Sequence, residues 1–261
     1  MNGQSLILDG PAIHYLRLDD VSLRVKGRQS AEQRIPLRCL LRVHCFRDPA
    51  EGFDTLLMLA ERHIPVTFFD RTGRVRGQLY HPQPEPTALA LWLEHCYGES
   101  PFQTRLDAWL EAQQLALFAT LDIHQGPLVE RHAFLMAELA HFQRAHPERM
   151  DDLISARERL SGLLDAYLSE MLLAHGLPPG GVARGRLYRD LKELLEFWLD
   201  GQAHRWLSRL PAPDSGKDVW RLFNAYAGDE LSRRIALLLR QLQGFVEAYA
   251  LEQVPAGSGA A

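Results

Sequence analysis

Apolar and polar positions follow two rhythms along this chain, and the change between them falls near residue 82. Before it the pattern is that of short strands. Leu6-Ile7-Leu8, Ile13 to Leu18 and Val21 to Val25 are separated by Asp9-Gly10-Pro11 and Asp19-Asp20, both good turn formers. Lys26 to Ser30 is the next loop, followed by Arg34-Ile35-Pro36-Leu37 and the apolar run Leu40 to Phe46. Phe53, Leu56, Leu57, Leu59 and Ala60 then give a short helix one apolar face. Ile64 to Phe69 has the β-branched and aromatic content of a buried strand. Asp70-Arg71-Thr72-Gly73 is a turn in which Gly73 can take positive φ, and Val75 to Tyr80 alternates as a half-buried strand does.

Three prolines in Pro82-Gln83-Pro84-Glu85-Pro86 end this part, since they continue neither strand nor helix. From Thr87 the period becomes 3.6, with helices predicted over 87–97, 102–122, 127–146, 150–175, 187–210 and 217–249. In the last of these, Leu231, Ile235, Leu238, Leu242, Phe245 and Tyr249 form one stripe, and Gly228 is a point of division. The expected fold class is α+β: a small N-terminal β domain over 1–82, an all-helical domain over 83–254, and a frayed Gly/Ala/Ser-rich tail over 255–261.

Composition adds exclusions. With 261 residues, 46% hydrophobic and 24% charged, the chain is an ordinary soluble protein long enough for two modest domains. No apolar run approaches the roughly 20 residues that span a bilayer. The N-terminus lacks a basic stretch followed by an apolar one, so no secretory signal is expected. Cys39, Cys45 and Cys96 are odd in number and never at C-x-x-C spacing, which points to reduced thiols in the cytoplasm rather than to a zinc site. Net charge is −4, yet residues 1–82 carry 12 Lys+Arg against 9 Asp+Glu, and the remainder 17 against 24. Nearly all cations are Arg, the residue suited to bidentate phosphate contact, although base composition of a genome produces the same bias.

The order of residues around the hairpin carries more information. A helix ending in Ala60-Glu61-Arg62, then Ile64-Pro65-Val66-Thr67-Phe68, Asp70 and Gly73, resembles the CRISPR adaptation integrase family, the endonuclease-like subunit that inserts spacers. Arg34 to Leu37, just before an apolar run, extends the match, and a β domain followed by a helical domain is also that family's layout. One loop departs from it: Asp48 to Gly52 has no Gly-Asn stretch. The resemblance implies a homodimer formed chiefly through the β domain, a small companion adaptation subunit, and binding to the ends of double-stranded DNA. It further implies metal-assisted transesterification that joins 3′-hydroxyl ends to a repeat, with Mg²⁺ or Mn²⁺ held by hard oxygen ligands.

Residues 163–193 are where that chemistry is expected. Leu172 to Gly176 with Leu177-Pro178-Pro179-Gly180 looks like the family's helix and turn. The family's histidine follows that turn; here Gly181-Val182-Ala183-Arg184-Gly185 stands in its place, and His175 lies before it. Leu187-Tyr188-Arg189-Asp190-Leu191-Lys192-Glu193 resembles the family's Leu-x-x-Asp-Leu-x-Glu helix, which makes Asp190 the expected metal ligand and Glu193 its acidic companion. Taken without the family, the pair is two solvated acids on a helix face. Arg184, Arg186 and Arg189 bracket the place where the family holds its scissile phosphate and are expected to contact DNA backbone, while Arg189 could equally pair with Glu193 at i+4. No Gly-x-Glu-Gly segment occurs, and none of Glu130, Glu138 and Glu148 has its glycine flanks.

Other chemistries find no support. Glu138 and His141 share the i,i+3 spacing of di-iron bundles, but a second such pair is missing. The eleven histidines form no His-x-x-x-His pair, and no Walker, Rossmann or Gly-x-Ser-x-Gly pattern occurs. Two functions remain open: a divergent integrase with an incomplete metal site, and a non-catalytic relative that serves as a dimeric scaffold or a DNA- or protein-binding subunit.

Overall fold

The computed structural model describes residues 4–9, 13–28, 30–46, 52–81, 87–121, 127–145, 147, 150–177, 182–209 and 228–253. The expected proline-rich boundary at 82–86, the Pro178 to Gly181 turn and the 255–261 tail lie outside them. The chain divides into two compact units, one of 1–83 with 158–166 and one of 84–157 with 167–261.

Among its described residues, the first unit holds seven strands in two sheets, the helix α1 and the middle of a longer helix. Strands β1 (Gln4–Asp9), β5 (Leu40–Phe46), β6 (Val66–Phe69) and β7 (Val75–Leu79) form a four-stranded sheet in the order β1-β5-β6-β7. Strands β2 (Ile13–Leu18), β3 (Ser22–Gly27) and β4 (Gln33–Pro36) form an antiparallel sheet of three. A single 3₁₀ turn, Leu37–Cys39, leads from β4 into β5. β5 pairs in parallel with both β1 and β6, so the chain crosses from β5 to β6 through helix α1 (Phe53–Glu61). Leu16 and Leu23 of one sheet, Val43 and Val66 of the other, and Leu56 and Leu59 of α1 are 4% exposed or less and belong to one core. Each such side chain stabilises the fold by about 1.5–3 kcal/mol.

Strand β6 starts two residues later than the expected Ile64. His63 ends α1 at φ 62°, with Ile64 N–H donating to Leu59 O, so the αL position that usually carries glycine carries histidine. Its ring stacks on that of His81, centroids 3.8 Å apart. Pro65 has no N–H to give a ladder, but its carbonyl accepts from Val43 N–H at 2.9 Å. The following turn forms as expected. Asp70 Oδ1 accepts from Thr72 N–H, Thr72 Oγ1 and Arg74 N–H at 2.7–3.0 Å, and Gly73 sits at φ 94°.

Among the described residues, six helices follow: α2 (Ala88–Cys96), α3 (Ser100–Thr120), α4 (Leu128–Ala145), α5 (Met150–Ala174), α6 (Val182–Arg209) and α7 (Gly228–Gln253). The middle of α5, Glu158–Ala166, belongs to the first unit. In the second unit α5 ends on Gly176 at φ 75°, with Leu177 N–H donating back to Leu172 O. Thr87 caps α2 by accepting from Ala90 N–H, and its hydroxyl donates to His175 O at 2.7 Å. α6 starts five residues before the expected 187, with Gly185 inside its first turn. Arg184 makes this start possible. It is buried, and its guanidinium donates to Leu177 O (2.9 Å) and Ser169 O (3.4 Å) at the carbonyl end of α5, where a cation is favoured.

Candidate functional site

The expected site residues lie on the first three turns of α6, and the structure gives them different surroundings. Arg184 is buried, with its guanidinium engaged by the carbonyls of Ser169 on α5 and of Leu177 just beyond its end. Arg186 is exposed and reaches Tyr97 O at 3.5 Å. Arg189 is exposed, and no ion pair joins it to Glu193 among the described residues. Asp190 is half-buried and Glu193 exposed, one turn apart, as their spacing requires.

Asp190 faces the end of α2. Its Oδ2 accepts from the hydroxyl of Tyr97 at 2.8 Å, and Tyr97 is itself 3% exposed. Burial, reinforced by the hydrogen bond to Asp190, holds the phenol above its ordinary range. The carbonyl of Tyr97 accepts from Gln103 Nε2 at 2.6 Å, which fixes the residue from a second side.

Glu193 has a different neighbour. Burial pushes the imidazole of His132, on α4, below its ordinary pKa, and the carboxylate of Glu193 pulls it back upward. His132 Nε2 lies 3.1 Å from Gln114 Nε2, and its ring packs 4.0 Å from Phe197 and 5.2 Å from Phe118. Sequence reasoning missed both Tyr97 and His132. Neither sits in a motif, and Tyr97 is 93 residues from the carboxylate it meets. His175, the histidine nearest the expected place, turns its Nδ1 to Met171 O of its own helix at 2.8 Å.

Asp190 and Glu193 share a cavity of about 280 Å³ with Leu110, Gln114 and Leu194, and with Asp107 and Glu111, which stand one turn apart on α3. The cavity is acidic, but its acids do not converge. Among the described residues no three of His, Cys, Asp and Glu are placed to hold one metal ion. Mg²⁺ asks for fixed octahedral oxygen geometry, and one oxygen of Asp190 is already an acceptor for a buried phenol. Among the described residues, the carboxylates lining this cavity therefore do not converge as the Mg²⁺ or Mn²⁺ implied by the family resemblance requires. Glu130, in the first turn of α4, is exposed, and Glu148 and the side chain of Glu138 lie outside the described residues. No described helix is long and apolar enough to cross a membrane.

Comparison with known proteins agrees with the geometry of the fold. Residues 11–103 match the sequence model of the family described as "CRISPR associated protein Cas1". Among curated proteins no sequence matches. Among solved structures, the CAS1 protein TM1797 from Thermotoga maritima superposes with a TM-score of 0.67 at 13% identity, covering 94% of this chain and 97% of that one. TtCas1 in a complex with DNA gives 0.66 at 13% identity, covering 92% and 91%. A casposase bound to integration product gives 0.65 at 14% identity, covering 94% and 91%. The chain thus carries the Cas1 sequence pattern over residues 11–103 and has the fold of the Cas1 structures over nearly its whole length.

Proposed function

We propose that the chain serves CRISPR adaptation as a Cas1-type subunit that binds DNA without joining it, its metal site reduced to Asp190 and Glu193. The observation that supports this reading is the 2.8 Å hydrogen bond from Tyr97 to one oxygen of Asp190, with no third metal donor converging beside it among the described residues. Arg186 and Arg189, exposed on the same stretch of helix, contact the phosphates of a duplex end. Arg184 supports them by anchoring the start of α6. The TtCas1 structure with DNA and the casposase with its integration product support DNA as the partner. By the same kinship the protein pairs with a second copy through its N-terminal unit and with a small companion adaptation subunit. The exposed Phe53, Leu57 and Met58 on α1 support an interface on that unit.

A second reading has its own observation. Asp107 and Glu111 line the cavity that Asp190 and Glu193 enter, so a rearrangement of α3 would give four carboxylates to a cation and restore strand transfer. One experiment separates the two. Purified protein is incubated with Mn²⁺, pre-cut duplex and a supercoiled repeat plasmid, beside Asp190→Ala and Arg186→Gln/Arg189→Gln. The first reading expects stable duplex binding that is weakened in the arginine variant, and no joined product. Joined product that disappears in Asp190→Ala overturns it in favour of the second.

A further inference from the structure

The three-stranded sheet of the first unit has one face that the α6 site does not explain. Leu16, Leu23 and Ile35 point to the core and are at most 7% exposed. Their strand neighbours point the other way, and the register aligns them. Arg17 of β2 stands opposite Arg24 of β3, which stands opposite Arg34 of β4; Tyr15 stands opposite Lys26 in the next row. Three guanidinium-bearing positions thus cross the sheet in one line of about 10 Å, given strands about 4.8 Å apart. The aromatic ring lies among them, with the Arg17 guanidinium carbon 5.8 Å and Lys26 Nζ 5.9 Å from its centroid.

Like charges directly opposite one another destabilise a sheet, so this row costs the fold something. Two acids offset part of it. Asp19 is held by Ser22 and takes Arg24 Nε at 3.1 Å. Glu32 accepts the Tyr15 hydroxyl and lies 3.8 Å from Arg24 and 3.9 Å from Arg34, whose side chain is 62% exposed. Lys26 adds to the positive field that holds the Glu32 carboxyl below its ordinary range, Arg17 has no ion-pair partner among the described residues, and Arg28 and Arg38 are exposed. Residues 13–38 carry six Lys+Arg against three Asp+Glu, a net of +3, whereas the rest of the chain carries 23 against 30, a net of −7. The cations are concentrated here on an otherwise acidic molecule.

We propose that the solvent face of the β2-β3-β4 sheet binds the phosphate backbone of duplex DNA, with Arg17, Lys26 and Arg34 as the contacts and Tyr15 as the apolar rest between them. A flat lattice of planar guanidinium forks suits a regular array of phosphates better than the scattered carboxylates of an acidic protein. Binding of this kind is independent of sequence and steeply dependent on salt. It stands on the register and charge of this sheet, and it does not depend on what α6 does.

Fluorescence anisotropy with a blunt, fully paired duplex, repeated across a salt series, tests it. Arg17→Gln/Lys26→Gln/Arg34→Gln is expected to weaken binding about tenfold or more at low salt and to lower the slope of log K against log salt by roughly two to three, near 0.9 for each phosphate no longer held. Arg17→Gln alone should lower the slope by about one, which keeps the test open if the triple variant folds poorly. Arg17→Lys/Arg34→Lys should keep the parent slope. Arg186→Gln/Arg189→Gln must leave the contribution of the sheet in place, so failure of the α6 reading and failure of this one are read separately. Parent affinity and slope in the triple variant would overturn the proposal. So would a parent that ignores the duplex, or a triple variant that loses binding to polyglutamate while keeping it to DNA, the mark of a face for an acidic protein.

Discussion

The worth of the hydrogen bond between Tyr97 and Asp190 is measurable. Tyr97→Phe removes the donor and leaves a half-buried carboxylate short of a partner, so urea melts should show a loss of about 1.5–3 kcal/mol, the range for a hydrogen bond to a charged group. Asp190→Asn keeps an acceptor oxygen and should lose less; equal losses would mean that the charge matters and not the acceptor. His44, 1% exposed on β5, gives a second test. Burial, helped by the neighbouring charge of Arg42, lowers its pKa from 6.5 to about 3. Between those values the unfolded chain binds a proton that the folded one refuses, so stability is full above about pH 6.5 and falls as pH drops toward 3. The slope is worth about 2 kcal/mol from pH 6.5 to 5, and His44→Leu should flatten that part of the acid limb. The sequence made Asp190 and Glu193 visible, because i,i+3 spacing needs nothing beyond one helix. Tyr97 and His132 were hidden, because their roles exist only once α2 and α4 pack near α6.

At the level of elements, the hairpin was legible because every signal in it is local: β-branched strand, Asx turn, glycine at positive φ, alternating strand. Its docking on the middle of α5 was not legible. The carbonyl of Gly73 lies where a Cβ on Gly162 would stand, 1.8 Å away, and a Cβ on Gly73 would come within 2.9 Å of the Arg159 Cα. Gly162, an isolated glycine inside a helical pattern, is therefore a point of close backbone approach, and Arg74 reaches Glu158 from the same turn at 3.4 Å. Gly162→Ala improves helix propensity by about 1 kcal/mol, yet it should destabilise the protein by roughly 2 kcal/mol net, since backbone must move. Thermal melting checks the sign, and a rise in Tm would mean that the turn does not rest on the helix. The shifted starts of β6 and α6 have the same physical origin. His63 does the work of a glycine cap and Arg184 that of an end cap, and both rely on tertiary support that residue type alone does not announce.

For the whole molecule, net charge was the least informative number, because a net of −4 sums a basic sheet face with an acidic remainder. Fold class followed from the change of period near residue 82, and the family resemblance from a few residues around one hairpin; neither reports whether a site is complete. A divalent cation does report it. A ligand that binds only the folded state stabilises it by about 2.7 kcal/mol at a hundred times its Kd, a shift of several degrees for a chain with few residues per cooperative unit and still resolvable for a larger one. With Asp190 bonded to Tyr97 and no third donor converging among the described residues, millimolar Mn²⁺ or Mg²⁺ should leave the Tm of the parent equal to its value in EDTA. Tyr97→Phe frees the Asp190 oxygen but adds no third ligand, so it too should show no cation response. If the parent gains stability with Mn²⁺ and Asp190→Ala does not, the acids of α3 and α6 close on a metal, and the reading of an incomplete metal site is overturned.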